Sequence, residues 1–338
     1  MASKTPSELY SSQASVAVTT TLSDFPWDWS INFSNTSAMQ RSEPLFAAVC
    51  LAPWVMTFTV FWLYPLLYAF SMSLTKYHTL LGAQGFVGLR NYAELLSDPL
   101  FWKALRNTVL FTLGTVPVTI GLALLLAMLI DSRLVRWQGL WQSTLLLPSV
   151  TSLVVLALIF TNLYARHGYI NAILASLGLP YPERGWLQEP TTALPAVMLM
   201  DIWASVGYYA LLLLAGLQAI PREYEEAALL AGASFWQRLR WVTLPLLRPM
   251  LTFALVLNTI KALQVFVEVY IMTRGGPLGA TTTLVYLVFV NAFEHVDRMG
   301  YAAALAYVVF VLVGALSLFQ LFLLRRQRWN SSGASVPQ

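Results

Sequence analysis

Residues 218–249 read QAIPREYEEAALLAGASFWQRLRWVTLPLLRP, a polar interval of helix-forming residues set between two long apolar runs. Pro221 suits a first helical position, where its missing N–H has no partner to lose, and Glu223, Glu225 and Glu226 complement the positive end of the helix dipole. Tyr224, Ala227, Ala228 and Ala231 recur at i, i+3, i+4 and i+7, a stripe of mostly small apolar side chains able to approach another surface closely. Gly232 stands where a left-handed residue ends a helix, and Ser234 with Gln237 forms the capping-box pattern that starts the next. Arg238 and Arg240 follow toward the negative end of that second helix, and Pro245 and Pro249 are expected to close the unit, giving a loop over 218–248. Two short helices hinged at Gly232 also fit an interfacial hairpin of any membrane protein.

The flanking runs explain why this interval matters. A membrane-spanning helix needs about 20 mostly apolar residues, and six stretches qualify: about 45–74, 107–130, 139–164, 191–217, 249–273 and 300–324. Pro65, Pro117 and Pro148 fall inside the first three, where neighbouring helices must satisfy the carbonyls they free. The composition agrees: 57% of the 338 residues are hydrophobic and only 11% charged, less than half the share of about 25% in soluble domains. The expectation is an all-α polytopic membrane protein with six transmembrane helices. It comprises a flexible polar tail (1–40), a six-helix membrane domain (41–328) and a short cytoplasmic C-terminal tail (329–338). The tail lacks a basic start followed by an apolar run, so it does not read as a signal peptide; its Trp27 and Trp29 fit either plain tail or a segment resting on the membrane surface.

Placing both termini in the cytoplasm leaves eleven Lys and Arg on inner segments against eight outside, four of the eight in the long connection between spans one and two. The 218–248 loop is then cytoplasmic. The scattered basic residues offer no clustered face for nucleic acid. One cysteine, Cys50, excludes a disulfide within the chain, and three well-separated histidines argue against a metal site. No lysine follows a glycine as a phosphate-cradling P-loop requires, so this chain has no means of hydrolysing ATP, and neither a Gly-x-Ser-x-Gly elbow nor a His-Glu-x-x-His helix is present. No cofactor is expected on it.

Glu226-Ala227-Ala228, then Gly232 and the Leu244-Pro245 pair, resemble the EAA loop of the membrane subunits of prokaryotic ABC importers. Four further segments resemble the carbohydrate-uptake permeases of the maltose and glycerol-3-phosphate type. They are Leu217 to Pro221; Thr273-Arg274-Gly275-Gly276-Pro277 with Ala280-Thr281-Thr282; Gly300-Tyr301-Ala302-Ala303-Ala304; and Phe86-Val87-Gly88-Leu89-Arg90-Asn91-Tyr92. The resemblance covers about residues 45–328 and departs from the maltose subunit in lacking its extra N-terminal spans and large external domain. It implies a multi-pass permease in a prokaryotic inner membrane that carries no enzymatic activity of its own. The implied partners are a second homologous permease, two ABC ATPase subunits that bind ATP and Mg, and an extracytoplasmic solute-binding protein. The implied substrate is a sugar or oligosaccharide; glycerol 3-phosphate or a glycoside osmolyte is the alternative within the class. Glu226 would pair with a basic side chain of the ATPase, Ala227 and Ala228 would allow close approach, and Gly232 would permit the turn.

Ionisable residues inside spans are costly and face a cavity or pair with one another. Asp201 falls near the middle of span four. Asn258, Lys261, Gln264 and Glu268 are spaced 3, 3 and 4, expected to form one face of span five. With Trp203, Tyr208 and Tyr209 they are candidates for the lining of a path for a neutral sugar, whose hydroxyls need donors and acceptors and whose ring stacks on aromatics. The competing reading has Lys261 pairing with Glu268 or Asp201 merely to hold the bundle together. A phosphate substrate would want several deep cations, and only Lys261 is deep. A membrane-embedded transferase built on Asp201 and Glu268 would need catalytic groups converging at one interface, which the three histidines do not obviously supply, and a channel would have no use for the 218–248 loop.

Overall fold

The computed structural model describes residues 48–132 and 137–332, with side chains as far as residue 322. The expected tail 1–40, Arg133 and Arg136, and residues 333–338 of the expected C-terminal tail lie outside the described residues. The chain divides into two units, residues 1–65 and 66–338. Helix α1 (Ala48–Ser73) begins in the first, where Trp54 stacks on Phe58 at 5.4 Å and Thr57 donates to the Pro53 carbonyl at 2.8 Å. Its register widens to a π turn over Thr59–Leu63, immediately before Tyr64-Pro65.

In the second unit α1 ends at a feature the all-α expectation did not contain. Strands β1 (Thr75–His78) and β2 (Gly82–Phe86) pair antiparallel, Thr75 opposite Phe86 and His78 opposite Gly82, with a bulge between Lys76 and Tyr77. Thr75 and Tyr77 favour the pleated surface, and Gly82 and Gly85 of β2 disfavour helix. Asn91 fixes the hairpin's entry by donating to the carbonyls of Ser73 at 2.8 Å and Thr75 at 3.1 Å.

Beyond α2 (Arg90–Ser97), the second span is longer than expected. Helix α3 (Pro99–Asp131) starts at Pro99 because Asp98 caps it, accepting the Leu100 N–H at 2.8 Å, and proline suits the first helical position. Lys103 and Arg106 therefore stand in the first two turns of a helix, not in a loop. The third span is not straight: α4 (Gln138–Val150) and α5 (Leu153–Leu163) meet at 90° across Thr151-Ser152, just after Pro148. A short helix α6 (Tyr169–Ser176) leads to α7 (Ala193–Gln218).

The core lies where α3 and α7 run together, with Ala123 and Ala127 of α3 and Ala196, Val197 and Ala210 of α7 all fully buried. Small side chains let two backbones approach closely, the main source of helix association where lipid supplies no hydrophobic drive. At the α4–α7 crossing, Ser149 donates to the Ala204 carbonyl at 3.0 Å, and a Cβ on Gly207 would lie 1.7 Å from the Leu145 carbonyl oxygen.

Helices α8 (Arg222–Leu230) and α9 (Phe235–Arg238) follow. Contrary to the expected start of span five near residue 249, α9 continues through a π turn (Leu239–Thr243) into α10 (Leu244–Leu263), so Pro245 and Pro249 lie inside a helix rather than closing a loop. The wide register sends the Leu244 N–H back to the Leu239 carbonyl, which accommodates the donor and space that Pro245 denies to a regular α turn. The same device precedes Pro65. The chain then breaks at Gln264–Phe266 before α11 (Val267–Met272), and Thr283 donates to the freed Val265 carbonyl at 3.0 Å.

The loop after α11 is held against α3. Asn107 donates to the carbonyls of Gly279 at 3.0 Å and Thr282 at 2.9 Å, Lys103 donates to the Leu278 carbonyl, and Thr108 accepts the Leu284 N–H at 3.0 Å. Asn107→Ala should strand both carbonyls at a cost of about 1–3 kcal/mol. The check is hydrogen exchange at residues 279–284, which should accelerate while the α7 amides stay protected. Helix α12 (Leu284–Phe289), extended by a π turn to Glu294, is apolar but too short to span. The last helix, α13 (Met299–Ser332), is tied at its start by Tyr301 donating to Asp98 at 2.7 Å and by the Arg298–Glu94 ion pair at 2.6 Å. Among the described residues five helices are long and apolar enough to cross a membrane, six if α4–α5 is one bent span.

Candidate functional site

Two regions carry the residues singled out in the sequence. The first is α8–α9. Pro221 precedes the first turn of α8, which holds Glu223 and Glu225, and the helix ends in a Schellman arrangement: the Gly232 N–H bonds the Leu229 carbonyl at 2.9 Å and the Ala233 N–H that of Ala228 at 3.0 Å. Gly232 has φ +76°, the left-handed conformation a Cβ disfavours. The Ser234–Gln237 capping box is present, with the Ser234 N–H donating to Gln237 at 2.7 Å.

Arg238 reaches back to Glu225 at 2.9 Å and joins the two short helices. Glu226 is exposed and makes no ion pair among the described residues. Ala227 is exposed and Ala228 half-buried; Leu230 is 90% and Trp236 73% exposed, unusual for large apolar side chains outside lipid. Leu244 and Pro245 stand in the first turn of α10, away from this pair. Between α8–α9 and the ends of α3 and α7 is a cavity of about 1040 Å³ lined by Asp131, Arg222, Glu225, Glu226 and Arg238 among others.

The second region is inside the bundle. Lys261 of α10 donates to Asp201 of α7 at 2.5 Å and also to Ser205. Asp201 is 2% and Glu268 3% exposed, and Glu268 lies within electrostatic reach of both Asp201 and Lys261. Two acids thus share one amine among buried helices, an arrangement that lipid-buried charge requires.

The single face expected for span five is not formed, because α10 ends at Leu263. Gln264 turns out of the helix with φ −102° and ψ +17° and is exposed, whereas Asn258 and Glu268 are buried on either side of the break. Asn258 is 1% exposed and neither amide atom has a partner among the described residues. Tyr209 is buried within reach of Asp201. Trp203, packed at 5.3 Å on Phe160, and Tyr208 are each nearly half exposed, and Lys261 bonds Asp201 and Ser205 rather than either of them. Ser205 was missed in the sequence, although its place four residues after Asp201 puts it on the same face of α7.

These features define a polytopic membrane protein with a charged cluster inside the bundle and a capped, exposed helix pair after α7. Residues 119–329 match the family described as the binding-protein-dependent transport system inner membrane component, and the chain belongs to that family. It is 33% identical over 297 residues to the lactose transport system permease protein LacF of Rhizobium radiobacter, covering 87% of this chain and 99% of that protein. It is 38% identical over 284 residues to the sulfoquinovosyl glycerol transport system permease protein SmoG of Agrobacterium fabrum, covering 82% and 89%. The fold is similar to that of a chain in the crystal structure of a bacterial ABC transporter that imports the acidic polysaccharide alginate. There the TM-score is 0.73 at 22% identity, over 86% of this chain and 98% of that one.

Proposed function

We propose that this chain is a permease subunit of an ATP-driven importer that takes up a sugar or oligosaccharide delivered by an extracytoplasmic binding protein. Its permease relatives are named for lactose, trehalose/maltose and sulfoquinovosyl glycerol transport, which supports a saccharide substrate. We infer that it pairs with a second homologous permease and that α8, lying at the cytoplasmic face, docks into two-subunit ATPase machinery where ATP and Mg are bound. The observation that supports this reading is the α8–α9 pair, capped at both ends of its turn, which presents an exposed Glu226 with no ion pair among the described residues, together with exposed Leu230 and Trp236. An ion pair with the ATPase gives the coupling helix its register, while the small Ala227 and Ala228 let the two surfaces close.

The Asp201–Lys261–Glu268 cluster, with Tyr209 and the exposed Gln264 at the α10–α11 break, forms the polar lining of the path within the bundle. Trp203, Tyr208 and Asn258 flank it.

Copurification from the native membrane tests the coupling assignment. Wild-type protein should bring down an ATPase and a second permease, whereas Glu226→Lys should retain the permease and lose at least about tenfold in ATPase yield, the weight of one close interfacial charge pair. Equal ATPase recovery with Glu226→Lys and with Gly232→Pro would remove α8 from that role.

A further inference from the structure

We propose that a second cavity, at the end of α7 opposite α8, binds a single sugar unit before it reaches the cluster inside the bundle; this rests on the saccharide-importer reading above. The cavity holds about 420 Å³ and is walled by Thr161 in the last turn of α5 and Tyr164 just after it, Arg184 and Gln188 of the turn before α7, Met272 at the end of α11 and Pro277 in the loop that follows. That volume falls within the range of about 300–1,000 Å³ common for small-molecule sites.

Three features make it a built site. Tyr164 is only 5% exposed, its ring lies 5.6 Å from Phe160 and 6.2 Å from Trp186, and its hydroxyl makes no hydrogen bond among the described residues. The turn carrying Arg184 and Gln188 is pinned: the Trp186 N–H bonds the Tyr164 carbonyl at 3.1 Å, its indole donates to Asn171 at 2.8 Å, and Thr192 donates to its carbonyl at 2.7 Å. Arg184 forms no ion pair among the described residues, and no carboxylate lines the cavity.

The wall chemistry is that of a sugar. A guanidinium fork, an amide and a free phenol hydroxyl supply donors and acceptors for vicinal hydroxyls, while Met272, Pro277 and the Tyr164 ring offer an apolar face to the C–H side of the ring. The position is suited to hand-over, because Met272 lies four residues beyond Glu268 in α11, on the same face and about 6 Å farther along the axis. A ligand in the cavity would sit directly over the Asp201–Lys261–Glu268 cluster.

The test uses the assembled importer in proteoliposomes with this chain carrying Cys50→Ala and Gln188→Cys, and a membrane-impermeant maleimide. Lactose, trehalose and maltose serve as probes, with uptake of each measured in parallel. A sugar that is taken up should slow maleimide labelling of this chain about fivefold, and adding Tyr164→Phe should abolish most of that protection, the factor expected for one net hydrogen bond. Because the Tyr164 hydroxyl has no partner among the described residues, Tyr164→Phe removes the proposed sugar contact without breaking a hydrogen bond within them. Labelling that is unaffected by a sugar the same vesicles import overturns the cavity site alone. Protection that survives Tyr164→Phe combined with Arg184→Gln also overturns it. If none of the three sugars is imported, the neutral-saccharide reading falls and this site with it.

Discussion

Lys261→Met is expected to destabilise the protein by about 3–5 kcal/mol, because it leaves Asp201 and Glu268 as buried acids with no amine between them. Thermal unfolding in mild detergent reads the loss. The double variant Asp201→Asn with Lys261→Met removes the stranded charge while keeping similar volume and a hydrogen-bonding amide beside Ser205, so most of the stability should return. Transport then separates the two meanings of the pair. If Asp201 and Lys261 serve only to hold α7 to α10, the stable double variant should import at close to the parental rate. If they line the path, it should fold and still import at least about tenfold more slowly, a loss worth about 1.4 kcal/mol of transition-state stabilisation. A double variant that stays as unstable as Lys261→Met would show that Glu268, not Asp201, is the main partner of the amine.

Gly207→Ala should be the most damaging one-carbon change in the fold. The added Cβ would meet the Leu145 carbonyl oxygen at 1.7 Å, and the obstacle is backbone, so no rotamer change relieves it. Helices α4 and α7 must separate, breaking the Ser149–Ala204 hydrogen bond at the same crossing. Overpacking of this kind costs about 1–3 kcal/mol and more when backbone must move; the expected result is a sharp loss of monodisperse protein after solubilisation. Gly121→Ala in α3 is the control, since nothing lies within 4 Å of its added carbon, and relief of glycine's entropy should make it neutral or stabilising by about 0.5–1 kcal/mol. Equal behaviour of the two variants would mean that the α4–α7 crossing is drawn too close.

Local features of the α8–α9 unit were legible because each depends on residues within a few positions. Pro221 before an acidic first turn, Gly232 at the left-handed position and the Ser234–Gln237 box satisfy their own backbone groups, so their pattern implies their geometry. The start of α3 was equally local, with Asp98-Pro99 a strong helix start, but the apolar count over 107–130 drew attention to where hydrophobicity begins instead of where capping does. The end of the unit at Pro245 was misread for a related reason. A proline normally interrupts a helix, and only the π turn ahead of it, not visible in residue types, allows α9 to run into α10.

The intramembrane residues divide along the same line. That Asp201, Lys261 and Glu268 must find partners followed from the cost of charge in hydrocarbon, and the burial of Asp201 and Glu268 near the half-buried Lys261 agrees with it. Which partner each finds did not follow, nor did the exposure of Gln264, because the face of a helix is continuous only while the helix is. Spacing of 3, 3 and 4 assumes an unbroken period, and the break at Gln264–Phe266 is stabilised from outside by Thr283, far along the chain.

By itself, then, the sequence determined the number and approximate extent of the apolar stretches, the capped helix pair between the fourth and fifth, and the presence of charges that have to be paired inside. Those properties arise from composition and from contacts within one or two turns. Only the tertiary structure decided the 90° bend at Thr151-Ser152, the close crossing at Gly207, the choice of Asp201 and Ser205 as partners of Lys261, and the cavity under Tyr164. Each of these is a meeting of segments distant in sequence, where packing and hydrogen bonding between helices outweigh the preferences of any one of them.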